Sequence, residues 1–210
     1  LATPKFDDMC IDFVKRIPDQ FRSTFAAGSG VLPNANLMKA EAVVDYINRG
    51  MQDLFNQFWQ SAGGDTKKFI KIFPELIGVS QAVDLASGNY TVASPYKDFY
   101  KLIGAVTSAN KFIKVKDESL YTVYLSSEYD ELVCTVDKPA IIQVNQLLAC
   151  FPQSLTGKIK FHYIKVPISP TTGAFLAQNG TEDSPFFEHW HKAIVDSAYL
   201  RYLEETNQTT

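Results

Sequence analysis

Ala40-Glu41-Ala42-Val43-Val44-Asp45-Tyr46-Ile47-Asn48-Arg49-Gly50-Met51-Gln52-Asp53-Leu54-Phe55-Asn56-Gln57-Phe58-Trp59 is the stretch on which the fold turns. Its apolar residues (Ala40, Val43, Val44, Ile47, Met51, Leu54, Phe55, Phe58 and Trp59) recur at steps of three and four, the period of a helix with one buried face. Asp45, Asn48, Arg49, Gln52, Asp53, Asn56 and Gln57 fill the other side. The spacing predicts a one-sided helix over 37–61, packed on a core or on a neighbouring subunit. Asn34 or Asn36 is placed to cap its start, and Gly63-Gly64 to stop its end.

Upstream, Phe6, Cys10, Phe13, Val14, Ile17 and Phe21 predict a second amphipathic helix, which Pro18 breaks or ends. A Gly- and Ser-rich loop, 26–36, joins the two. Downstream, a short helix is expected over 65–73, limited by Pro74. From Asp84 the periodicity changes. Gly88-Asn89 punctuates the chain and Tyr90-Thr91-Val92 reads as a short strand. Phe99, Leu102, Ile103 and Val106 keep helical spacing, which predicts a helix over 97–105. Blocks of β-formers follow: Phe112 and Val115, then Leu120 to Leu125, then Val133 to Val136, with a turn at 128–130. Ala140 to Val144 is another strand. Lys158 to Ile168 alternates and closes at Pro167 to Pro170, as an edge or terminal strand would. After a polar loop, 178–184, Ser184-Pro185 suits a helix start. Phe187, Trp190, Ile194, Val195, Ala198, Tyr202 and Leu203 then form a stripe, before a polar tail at 204–210.

The expected fold is α+β: N-terminal helices and a C-terminal helix framing a β-rich, sandwich-like middle. The regions are 1–83, helical; 84–178, β-rich with a short helix; and 179–210, a helix and tail packing back on the rest as one structural unit. At 210 residues the chain is long enough for a substantial core. Apolar residues at 46% and charged residues at 20% are ordinary for a globular protein, which argues against wholesale disorder. Fifteen Phe and ten Tyr make it aromatic-rich, suiting either a core or a large interface.

Charge and motifs exclude several functions. The net charge is −3 and the basic residues are dispersed, so no phosphate-binding stripe is visible. The densest run, Lys111 to Lys116, alternates with apolar residues like one face of a strand. Cys10, Cys134 and Cys150 are odd in number and far apart, which signals neither a zinc site nor a disulfide framework. They read as small buried hydrophobes in a reducing compartment. Residues 1–9 lack a basic segment followed by an apolar core, and no apolar run nears the roughly 20 residues that span a bilayer. The expectation is a protein made in the cytoplasm, with the N-x-T sequons at Asn89, Asn179 and Asn207 as chance matches.

No catalytic constellation stands out. His189 and His191 flank Trp190, but residues two apart on a helix point in nearly opposite directions and cannot chelate one ion. His162 has no carboxylate near it in sequence. Gly28-Ser29-Gly30 lacks the strand before it and the Lys-Ser/Thr after it that a phosphate loop needs. Glu128, Asp130 and Glu131 read as a solvated turn. The expectation is a protein with no catalytic, cofactor-binding or metal-binding residues.

Three stretches carry a resemblance. They are Ala40 to Gly50 followed by Lys67-Lys68-Phe69-Ile70-Lys71-Ile72-Phe73-Pro74-Glu75-Leu76; Gly88-Asn89-Tyr90-Thr91-Val92 leading past Pro95 to Phe99-Tyr100-Lys101-Leu102; and Pro185-Phe186-Phe187-Glu188-His189-Trp190-His191 with Ile194-Val195-Asp196-Ser197-Ala198 and Tyr202-Leu203. In this order the chain resembles the head–tail connector proteins of tailed bacteriophages, also called adaptor or neck-ring proteins, and most of all the ring proteins of crAss-like phages. The closing helix is the most specific part.

The resemblance implies a structural virion protein that forms rings, usually of twelve copies, beneath the portal. Its partners would be copies of itself, the portal and neighbouring neck or tail proteins. It would touch genomic DNA only passively in the exit channel, with no membrane and no cofactor. The terminal helix, around Trp190, Ile194 and Tyr202, is then a candidate interface; the alternative is that it closes the subunit core. Two other functions compete. One is a non-catalytic β-sandwich module binding carbohydrate or a host surface through its aromatics. The other is a hydrolase using Cys150 or Cys134 with His162.

Overall fold

The long apolar stripe folds as its spacing predicts. In a computed structural model that describes residues 5–17, 40–92, 96–126, 134–170, 172–177 and 183–207, it becomes α2 (Ala40–Ser61). Gly63 and Gly64 take left-handed backbone angles that residues with a Cβ adopt only at a cost, and their amides donate to the Gln60 and Trp59 carbonyls to close the helix. Asp65 then caps α3 (Thr66–Ile72), its carboxylate accepting from the Lys67 amide at 2.8 Å. The first helix, α1 (Phe6–Arg16), is shorter than 6–21. Ile17, the residue before Pro18, has turned to extended geometry. The caps Asn34 and Asn36, the loop 26–36, the turn at 128–130 and most of the loop 178–184 lie outside the described residues.

The fold is α+β. The chain divides into two compact units, Leu1–Leu76 with Val166–Thr210, and Ile77–Lys165. In the first, the closing helix α5 (His191–Asn207) packs against both α1 and α2. The approach is closest at Gly50, where a Cβ would lie 2.7 Å from the Ile194 carbonyl oxygen and 3.2 Å from the Ala198 methyl. Ile194, Val195 and Ala198 are fully buried there, and burying a side chain such as Ile or Val contributes about 1.5–3 kcal/mol. Among the described residues no helix is long and apolar enough to cross a membrane.

The second unit is one strongly curled, mixed sheet of eight strands. They are β1 (Ile77–Val79), β2 (Val83–Asp84), β3 (Asn89–Thr91), β4 (Phe99–Thr107), β5 (Phe112–Lys116), β6 (Ala140–Val144), β7 (Leu147–Phe151) and β8 (Lys158–Lys165). The order is β1-β8-β4-β5-β6-β7-β3, with β2 also on β8. All pairings are antiparallel except β5 with β6. Where β5 gives out, the Gln143 side chain on β6 reaches the backbone of β4. Its Oε1 accepts from the Leu102 amide at 2.8 Å and its Nε2 donates to the Tyr100 carbonyl at 3.2 Å. The inner face is filled by Leu102, Ala105, Ile113, Ile159, Phe161 and Tyr163.

Three local expectations are corrected. Residues 99–107 form strand β4, not a helix. Its pairing with β8 shifts register between Phe99 and Lys101 and again between Leu102 and Gly104. Each shift adds a residue and breaks the two-residue alternation, so the inward residues fall at helix-like spacing. Residues 120–125 form a 3₁₀ turn and the helix α4 (Tyr121–Ser126) instead of a strand, because Asp117 accepts from the Ser119 amide at 2.9 Å and starts a helical turn. Finally, β8 is interior, between β4 and the β1–β2 pair. Lys158 and Lys160 face outward from the curl and do not mark an edge.

Candidate functional site

Of the residues singled out on the closing helix, Ile194 and Tyr202 lie in the core of the helical unit and Trp190 is half-buried. Trp190 ends a 3₁₀ turn, Glu188–Trp190, that leads into α5. Ser184 does not cap the helix. It lies buried several residues earlier and accepts from the Phe186 amide at 3.1 Å. The Trp190 ring packs on Phe73 at 4.6 Å and Phe58 at 5.4 Å between centroids. Ile194 is 0% exposed, and Tyr202 is 7% exposed with its ring edge-on to Phe13 and Tyr46. Ile194 and Tyr202 are thus buried within their own subunit, and Trp190 is half-buried. Trp59 is likewise half-buried and packs edge-on against Phe69.

Ion pairs tie the same helices together. Arg16 pairs with Asp196, Arg201 with Asp53 at 2.8 Å, and Arg49 with Glu205 at 3.5 Å. His191 Nε2 lies 3.0 Å from Asp12 Oδ2. The Lys15 ammonium and His191 hold the Asp12 carboxyl below the usual range, and Lys192 and Arg16 do the same for Asp196. Asp7 is buried without a hydrogen-bond partner among the described residues. It sits in the first turn of α1, where the helix dipole favours a negative charge.

The thiols are poorly placed for nucleophilic chemistry. Burial pushes the Cys150 thiol up to about 12, and burial also raises Cys10 and Cys134. The thiolate is the reactive form, and no hydrogen bond joins Cys134 or Cys150 to His162 among the described residues. Among those residues, too, no three His, Cys, Asp or Glu side chains gather in a group able to hold a metal ion.

What sequence reasoning missed is the outward face of the curled sheet. Strands β4, β5 and β8 carry one, two and three lysines respectively and no carboxylate. The register aligns Lys160 with Val106 and Val106 with Phe112 in one cross-strand row, and Val79, His162 and Gly104 in the next. Gly104 has no side chain in that row, and the Phe112 ring lies over it, 3.5 Å from where a Cβ would stand. Phe112 is nonetheless 68% exposed and Val79 57%. The alternations Lys111 to Lys116 and Lys158 to Lys165 held this signal, but only the pairing of β4 with both strands shows that they share a face. On α5, the face opposite Ile194 and Ala198 presents Leu200, 60% exposed, with exposed Glu204 one turn on.

No protein-family model matches the chain, and no curated protein sequence matches it.

Proposed function

We propose that the protein is a non-enzymatic structural subunit of a tailed-bacteriophage virion, forming a ring in the neck that connects portal to tail and lines the DNA exit channel. A closed ring is built from heterologous contacts, so each copy needs two different, complementary faces. The observation that carries this reading is the separate placement of exposed apolar side chains. Val79 and Phe112 stand on the sheet unit, and Leu200 stands on the outer side of a helix in the other unit. Single exposed apolar residues are common, but one projecting from a lysine-bearing sheet face and one beside a glutamate with no ion pair among the described residues have the anatomy of contact sites.

The resemblance of the closing helix to neck-ring proteins adds the biological setting. Its partners on this reading are copies of itself, the portal and the neighbouring neck or tail proteins. Genomic DNA would pass a chain with a net charge of −3 without being held. Negative-stain imaging of the purified protein, with mass spectrometry of purified particles, tests the reading. Rings, and a stoichiometric presence in particles, are expected. A stable monomer that never enters particles would sink it.

A further inference from the structure

We infer that the sheet face bearing Val79 and Phe112 is the socket for the outer side of α5 in a second copy of the same chain, with Lys114 and Lys160 facing Glu204 and Phe112 facing Leu200. This deepens the ring reading and rests on it.

The two surfaces are complementary in charge. On the sheet, the exposed Phe112 ring lies over Gly104, and the exposed Lys114 and Lys160 flank it. Lys111 and Lys158 are engaged by Asp137 and Asp84, whereas Lys114 and Lys160 form no ion pair among the described residues. On α5, Leu200 and Glu204 are one turn apart and so project from one side of the helix. Glu205 is taken by Tyr46 and Arg49, but Glu204 has no such partner among the described residues. Each surface thus pairs an exposed apolar group with charge of one sign, and the signs are opposite. An apolar centre with a polar rim is how stable protein contacts are built. Because the surfaces are different patches of one chain, the contact is heterologous and propagates from copy to copy.

The test is the native mass by light scattering across a concentration series, with circular dichroism to confirm folding. The wild type is expected as a multimer. Phe112→Glu, which sets a carboxylate against Leu200 and next to Glu204, should fall to the mass of one chain, 23.5 kDa. Adding Leu200→Lys in the same chain should restore assembly by re-creating an opposite pair. Should Phe112→Glu lose its dichroism spectrum, Lys114→Glu with Lys160→Glu carries the same test at two exposed positions. A wild-type multimer that these variants leave intact overturns this contact and spares the ring reading. A wild type that stays at one chain's mass at every concentration overturns both. Binding of a fluorescent single-stranded oligonucleotide that the double lysine variant abolishes, with the mass unchanged, would make the face a polyanion site and overturn the contact.

Discussion

At the scale of single residues, Asn48 does the most to hold the helical unit's loop in place. Its Nδ2 donates to the Leu176 carbonyl and its Oδ1 accepts from the Leu176 amide, both at 2.9 Å and fully buried. Asn48→Ala leaves two buried backbone groups without partners, so the urea midpoint should fall by the equivalent of about 2–4 kcal/mol. A change under about 0.5 kcal/mol would mean that the clamp is not formed. Sequence alone placed Asn48 on the polar side of its helix. Its position one residue after Ile47 and three before Met51 marks the border of the stripe, and only the backbone of Leu176 moves that border. Asp12 and Asp196 set a pH dependence. Both have carboxyls lowered below their unfolded values by basic neighbours. Their contribution is therefore complete above the unfolded carboxylate range and is lost as pH falls through the lowered folded values. Stability should drop on acidification below about pH 4, and by less in an Asp12→Asn, Asp196→Asn double variant. Equal drops in both proteins would contradict this. The effect is small because the pairs are largely exposed.

At the scale of elements, the join of α2 to α5 is decided by Gly50. A side chain there meets the Ile194 carbonyl and the Ala198 backbone, which cannot yield as a flexible side chain would. Gly50→Val should force the helices apart and destabilise the protein by about 1–3 kcal/mol, read from chemical denaturation. A neutral result would show that the two helices do not approach so closely. The long helices were legible because their stripes run over several turns and their stops are chemical: glycines after α2 and Pro18 after α1. The strands were less so. In β4 two register shifts put the inward residues Phe99, Leu102 and Ala105 three apart, the spacing of a helix. At 120–125, β-forming side chains yield to the cap from Asp117. Such outcomes depend on partners distant in sequence, or on one local hydrogen bond outweighing summed propensity.

For the whole molecule, the α+β class follows from the change of period near Asp84, where helical stripes give way to short alternating blocks. The surfaces were harder to read. Trp190, Ile194 and Tyr202 stand out in sequence because they are large and periodic, yet that same periodicity buries Ile194 and Tyr202 in the helical unit and half-buries Trp190. The exposed contact candidates, Phe112 and Leu200, have no periodic signal, since an outward residue is defined only by what it fails to pack against. The central claim is a subunit that assembles with copies of itself into a ring. It is tested most directly by the native mass of the purified protein in solution. A single species at a fixed multiple of 23.5 kDa, seen as closed rings by electron microscopy, is the predicted result. A protein that remains at one chain's mass at every concentration, and in the presence of its particle's portal, would contradict it.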